Sequence, residues 1–513
     1  MRIAFNIATS YARFLTGIVA VFFITPFILG VVGVEQFGLW ALCLAVTGVL
    51  GLLDMGFGTA AVKYVAECSG NSDFDARNEA LSTLFVVYSV LGGFCLLLLI
   101  AFIPAGIQVF GLDPQQADSF KTVMAITGIA MALALPLSVF RSALIGAGRF
   151  DLVNLVETGS ILVNAVLVVT MLLNGWGLTG LAIAYASVML LAPMVMIPVA
   201  SRLIPAFRLA TSLVRLRRLT EVAPLAMYFM LANIALLITL RSDVLIIKGF
   251  LPLTAVAAYA IAAKISEYSY LLNKQFSNAL MPLVSHSIGA GDQAMVRAIL
   301  VDGTRYLMII ATPLLGLLFF HAEHIVVLWV GPELQAVVLP LRILLAAVLF
   351  STLQLNAANV LGMTGGHRGV AFIMIGSALF NILLSLLLIP RMGLAGAAVS
   401  TLAAACILEF GMMLKRACNR QAITLGTVLR GVIPVLLSAV PMLMVADWMD
   451  SYWPVSSFTD LALQGIVAVF CYACLVSFTG IRRPERTRVI RILERFLQTR
   501  SLSAALNTRD RHG

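Results

Sequence analysis

Apolar runs of about 20 residues, separated by short polar connections, succeed one another along almost the whole chain. Each is long enough to cross ~30 Å of hydrocarbon as a helix. No stretch alternates apolar and polar residues as a barrel strand would, and a spanning segment must satisfy its own backbone, so the runs read as helices. The pattern predicts about fourteen spans, near 5–31, 37–64, 80–104, 119–146, 151–174, 177–200, 222–249, 253–283, 301–323, 333–360, 369–390, 393–415, 427–448 and 459–480. The first run has the apolarity of a signal peptide, but Arg13 interrupts it and no small-x-small cleavage site follows. It reads as a retained first helix.

Composition agrees with the pattern. Of 513 residues, 61% are hydrophobic and 11% charged, against roughly a quarter charged in soluble domains. The net charge of +10 would suit nucleic acid, but the cations fall in alternate connections. With the amino terminus inside, the outer loops hold Lys121, Lys248 and Arg391, whereas the inner ones hold Arg77, Arg149, Arg202, Arg208, Arg215, Arg217, Arg218, Arg297, Arg368, Lys415, Arg416 and Arg420. That asymmetry places both termini in the cytoplasm and excludes a nucleic-acid partner. The Arg-rich tail after residue 480, with "PERTRVIRILERFLQ", reads as an amphipathic helix on the anionic leaflet, with membrane lipid as its partner.

The seven cysteines sit in or beside apolar runs, and Cys471-x-x-Cys474 has no histidine cluster beside it, so small packing residues are the reading. "HAEH", His321 to His324, puts two imidazoles on one helical face. A metal centre needs more ligands than two, and no metal or cofactor is called for.

The chain also repeats. "GSILVNAVLVVTMLLNGWGLTGLAIA" (159–184) matches "GSALFNILLSLLLIPRMGLAGAAVS" (376–400), with Gly159, Ser160 and Asn164 on Gly376, Ser377 and Asn381, and Gly177 and Gly180 on Gly393 and Gly396. Six spans separate the copies, so the halves share one orientation, as in transporters built from parallel repeats. The organisation expected is an all-α membrane protein with two parallel six-helix lobes, 1–215 and 216–425, around a central cavity. Two additional spans at 426–480 and a basic tail at 481–513 follow.

Ionisable residues within spans are costly and point to function by default. Arg13 and Asp54 lie at similar depth on neighbouring antiparallel spans, some 12–15 Å in by helix rise, which predicts an ion pair; proton coupling by Asp54 is the alternative. Asn6, Ser10, Arg13 and Gly17 form one helical stripe, facing either a wet lumen or a packed seam. Arg141 and Glu157, near the inner face, read as a structural pair. In the second half, Arg241, Asp243, Lys264 and Arg342 share a depth in the outer half, with Glu267 one turn deeper than Lys264. Surplus cation in a low-dielectric cavity asks for an anionic ligand, to which Tyr268, Asn356, Asn359 and Asn381 add hydrogen bonds. Snorkelling of the cations to the interface is the bland alternative.

"FITPFILGVVGVEQFGLWAL", "GLLDMGFGTAAVKYVAE", "RSALIGAGRFDLVNLVETGSILVNAVL" and "RSDVLIIKGFLPLTAVAAYAIAAKISEY" resemble the bacterial polysaccharide transporter family. That family includes the O-antigen and exopolysaccharide flippases of the multidrug/oligosaccharidyl-lipid/polysaccharide flippase superfamily, and the resemblance covers nearly the whole chain. It implies alternating access in the bacterial inner membrane and an oligosaccharide carried on undecaprenyl diphosphate as substrate. It also implies a polysaccharide polymerase and chain-length machinery as partners, and no enzymatic activity. Asp54 falls on the family's acidic residue before glycine near the end of span 2. In lipid II flippases the extra helix pair forms a groove for the lipid tail. A cation-coupled exporter of the same superfamily is the competing reading, although surplus cavity cation opposes cationic drugs. A membrane polymerase or glycosyltransferase is a third, opposed by the absence of a large loop carrying catalytic carboxylates.

Overall fold

The computed structural model describes residues 2–54 and 56–480. The basic tail expected at 481–513 and its surface helix lie outside the described residues. Among those residues every regular element is helical: α1 (Arg2–Val32), α2 (Val34–Leu50), α3 (Phe57–Gly70), α4 (Phe74–Val109), α5 (Pro114–Gly146), α6 (Phe150–Leu173) and α7 (Gly177–Leu203) make the first six passes. Next come α8 (Leu216–Phe250), α9 (Leu253–Ala279), α10 (Met281–Gly289), α11 (Gln293–Ala298), α12 (Thr304–Phe320), α13 (Ala322–Val330), α14 (Val338–Leu361), α15 (His367–Met392), α16 (Leu394–Ala404) and α17 (Lys415–Arg420). The chain ends its described part with α18 (Leu425–Leu437), α19 (Ala439–Tyr452) and α20 (Phe458–Thr479). Among the described residues ten helical segments are long and apolar enough to cross a membrane, and one of them, Pro332–Met392, is 61 residues long and holds both α14 and α15. With the divided pass α2–α3, α8 and α9, the structure accommodates the fourteen passes read from the sequence. The chain is a multi-pass, all-α membrane protein.

Two passes are interrupted in ways that matter for the site. Span 2 is not continuous: α2 ends at Leu50, residues 51–54 form a 3-10 turn, and Gly56 takes a left-handed conformation (φ 71°) before α3 begins. Only glycine adopts that conformation without strain. Between α16 and α17, residues Ala405–Leu414 are π-helical, a local unwinding found often at functional sites.

The internal repeat has a backbone counterpart. Gly177 opens α7 after α6 with φ 49°, and its repeat partner Gly393 opens α16 after α15 with φ 61°. A methyl group at Gly180 would meet Met171 Cβ at 2.9 Å, and one at Gly396 would meet Leu388 O at 2.5 Å. The repeated glycines therefore make the same tight helix hairpin twice.

The chain forms two compact units: Met1–Tyr268 with Ile325–Phe350 and Gly365–Met412, and Ser269–His324 with Ser351–Thr364 and the chain from Met413 onward. In the first unit α5 packs against α4, α7 and α3, through a core that includes Phe57, Ala60, Leu81, Tyr88, Val139 and Ala143. Lipid supplies little hydrophobic drive between helices, so the small members Ala60 and Ala143 matter by letting the backbones approach. The basic connection before α8 is tied to the start of α4. Arg77 donates to Pro205 O (2.6 Å), Asn78 to Ala206 O (2.7 Å), and Arg218 to Glu79 (2.9 Å). Those bonds fix where α8, the carrier of Arg241 and Asp243, enters the unit. In the second unit α12 packs against α18, α19 and α20, and His324 Nε2 lies 3.6 Å from Asp450.

Candidate functional site

Among the described residues of the first unit, three carboxylates within the spans, Glu157, Asp54 and Asp243, each centre a polar cluster. The first joins α1, α5 and α6. Down α1, Ser10 accepts from Asn154 (2.9 Å), Arg13 donates to Glu157, and Gly17 faces Ile161. The α1 positions step by three and four, and so do 154, 157 and 161 on α6, which makes the polar stripe a packed seam. Glu157 takes a second arginine, since Arg141 Nε of α5 donates to its other oxygen at 2.7 Å. One carboxylate thus serves two guanidinium groups and the cluster carries one net positive charge. Glu157 is 20% exposed, Arg13 33% and Arg141 45%.

The second cluster corrects the expected Arg13–Asp54 pair. Asp54 accepts from the Tyr88 hydroxyl of α4 at 2.5 Å, whereas Arg13 belongs to Glu157. The cause is the break in span 2: the 3-10 turn and Gly56 aim the carboxylate toward α4, and helix rise gives depth but not direction. Gly58 leaves room for it, because a Cβ there would lie 3.1 Å from Asp54 Oδ1.

The third cluster centres on Asp243, buried to 4% exposure on α8. It was expected among cations. Instead it accepts hydrogen bonds from Tyr259 of α9 (2.5 Å), Thr401 of α16 (3.0 Å) and Ser385 of α15 (3.1 Å). Asn381, one turn before Ser385, completes the ring: with its amide turned to suit its neighbours, the nitrogen donates to Asp243 Oδ1 at 3.3 Å and the oxygen faces Thr401. Three helices, α9, α15 and α16, therefore surround the carboxylate on α8 with neutral donors. Burying a carboxylate costs heavily unless its charge is neutralised. A proton does so, and so would a small monovalent cation taking ligands from Asp243 and the Thr401 and Ser385 hydroxyls. No group of three or more His, Cys, Asp or Glu side chains able to hold a metal ion occurs among the described residues.

The cations read as one group each have their own surroundings. Arg241 lies half-buried with its side chain along Gly48 of α2, 3.3–3.5 Å from where a Cβ would stand, and its buried Nε has no hydrogen-bond acceptor. Lys264 is 3.5 Å from Glu267 and 5.5 Å from the Tyr268 ring centre, and Tyr268 approaches Phe14 of α1 with ring centres 6.4 Å apart. Arg342 is half-buried on α14. In the second unit Asn356 accepts from Ser277 (2.6 Å) and Asn359 donates to it (3.0 Å), so both take part in the α9–α14 contact.

Sequence reasoning missed Tyr259, Ser385, Thr401, Tyr88 and Glu409, the last a buried carboxylate in the π-helical stretch that accepts from Ser377 at 3.2 Å. The four-residue spacing of Asn381 and Ser385, which puts both on one helix face, was the available signal for the Asp243 ring.

Known proteins share this architecture. The fold matches the lipid II flippase MurJ in an inward closed conformation with a TM-score of 0.72 and 18% identity, over 94% of this chain and 100% of that one. It matches an inward-facing multidrug resistance MATE transporter at 0.63 and 14%, over 82% and 96% of the two chains. A multidrug/oligosaccharidyl-lipid/polysaccharide superfamily transporter from Pyrococcus furiosus, characterised by reverse polarity of its binding pocket, matches at 0.58 and 13%, over 81% and 95%. No curated protein gives a significant match. Residues 224–387 fit the MatE family model, and residues 6–287, more than half of the chain, fit the model described as polysaccharide biosynthesis protein. The chain therefore belongs to the polysaccharide biosynthesis protein family, within the multidrug/oligosaccharidyl-lipid/polysaccharide flippase superfamily.

Proposed function

We propose that the protein translocates an oligosaccharide linked to undecaprenyl diphosphate across the bacterial inner membrane by alternating access between two lobes, 1–215 and 216–425, for surface polysaccharide such as O-antigen or exopolysaccharide. Both termini are cytoplasmic in this reading, and the polymerase and chain-length machinery act downstream. Family membership supports the substrate class. The observation that carries the reading is Arg241, a half-buried guanidinium whose Nε has no acceptor. A diphosphate is the kind of ligand that its fork chelates. Lys264 and Arg342 are assigned to the same ligand, with the net positive Arg13–Glu157–Arg141 cluster on its path. Asp243 is the coupling point, neutralised by a proton or small cation in one state of the cycle.

A second reading, a cation-coupled exporter, is favoured by the MatE match over 224–387 and by the Asp243 ring itself. The two readings part at the cations. If these bind a diphosphate, Arg241→Ala and Arg342→Ala should abolish surface polysaccharide at unchanged protein level, while Arg241→Lys keeps part of it. Normal surface polysaccharide in Arg241→Ala, Arg342→Ala and Lys264→Ala cells alike, at natural expression, would remove the basis of the first reading.

A further inference from the structure

Pro26 sits inside α1. Proline has no N–H, so the carbonyl of Phe22 four residues earlier loses its intrahelical donor, and the pyrrolidine ring also crowds that oxygen. In a spanning helix an unsatisfied carbonyl is expensive. The structure supplies a substitute from far along the chain: Trp329 of α13 donates its indole N–H to Phe22 O at 2.7 Å. The indole also stacks on the Phe22 ring, with centres 5.9 Å apart and planes 10° from parallel. Trp329 is 8% exposed, so water does not compete for the bond. A tryptophan N–H can only donate, and a carbonyl freed by proline is a natural partner for it.

We propose that Trp329 is a latch on the proline hinge of α1, holding the Val32 end of that helix against α13. The claim rests on the alternating-access reading above, in whose orientation this end faces outward. While the indole occupies the freed carbonyl, α1 is locked in its present form. When the bond breaks, the outer end of α1 can move away from α13 and water can reach the carbonyl. Pro26 and Trp329 therefore form one device: the proline creates the acceptor and the tryptophan decides when it is exposed.

The test is a distance measurement on the full chain in lipid nanodiscs, with spin labels at Gln36→Cys and Glu333→Cys in a background lacking the other cysteines. Both positions are exposed, just beyond α1 and α13. Trp329→Phe keeps a stacking ring but removes the N–H. It should raise the share of a longer-distance population about five- to tenfold, the shift expected from losing one such hydrogen bond. Pro26→Ala returns an N–H to Phe22, so in that background the same tryptophan change should shift the share less than about twofold. A Trp329→Phe chain that folds only with Pro26→Ala would show the same dependence. Unchanged distances in Trp329→Phe, or an equal effect in both backgrounds, would overturn the latch. The readout needs no substrate, so a working latch in a protein that moves no lipid-linked sugar would sink the transport reading and leave this one standing.

Discussion

Asp243→Asn is expected to abolish transport while leaving close to the normal amount of protein in the membrane. Asparagine has the same shape, and its oxygen can accept from Tyr259 and Thr401, which now bond the carboxylate at 2.5 and 3.0 Å. The Ser385 hydroxyl, now donating at 3.1 Å, can rotate to accept from the new amide, since a hydroxyl does both. Packing is preserved and the negative charge is gone. The ring can then no longer bind a proton or cation in one state and release it in the other. The loss should be on the order of 100-fold in transport rate, near the upper end of ordinary coupling free energies. Initial rates at matched protein level would show it. Wild-type rates in the asparagine variant would make Asp243 a purely structural acceptor.

Glu157→Gln should act in the opposite way, on the protein rather than on the cycle. Arg13 and Arg141 both bond this carboxylate, and glutamine leaves two guanidinium groups facing each other around a neutral amide. Removing one partner of a fully buried pair costs about 3–5 kcal/mol. Here the arginines are 33% and 45% exposed, and solvent screening lowers the figure to about 2 kcal/mol. In a protein of ordinary stability that is enough to lower the folded fraction several-fold. Adding Arg141→Gln restores the cluster's net charge of plus one and should recover much of the folded protein, read as the monodisperse fraction after detergent extraction. A double variant no better than Glu157→Gln alone would mean that the two arginines are independently solvated.

Much of the architecture was legible because lipid imposes a simple code. A run of apolar residues must be a helix, so the passes could be counted, and the glycines matched between 159–184 and 376–400 mark the hairpins α6–α7 and α15–α16. What was illegible is direction around each helix axis. Arg13 and Asp54 were placed at one depth, but depth does not make a pair. Arg13 turns toward α6, where residues 154, 157 and 161 match its own stripe, and Asp54 is turned toward Tyr88 by the break at Gly56. The Arg141–Glu157 contact was readable because both residues lie near the same end of consecutive antiparallel helices. Asp243 was misjudged for another reason. Its neighbours in sequence are charged, but its neighbours in space are hydroxyls from α9, α15 and α16, and Tyr259, Ser385 and Thr401 look unremarkable in an apolar span. Glu409 was hidden by π-helical winding, which departs from the periodicity used to read a helix face.

The central claim, that the cargo is an oligosaccharide on undecaprenyl diphosphate, is tested most directly by finding where such a lipid stands when the protein is removed. Cells depleted of the protein should accumulate an undecaprenyl-diphosphate-linked oligosaccharide on the cytoplasmic leaflet. It should be shielded from a lectin or glycosidase added outside spheroplasts and reached once they are opened. Restoring the intact chain, but not the Arg241→Ala chain, should move it to the outer leaflet. If depletion leaves no such lipid behind and the cells instead become sensitive to cationic compounds, the account is wrong and the protein is an exporter.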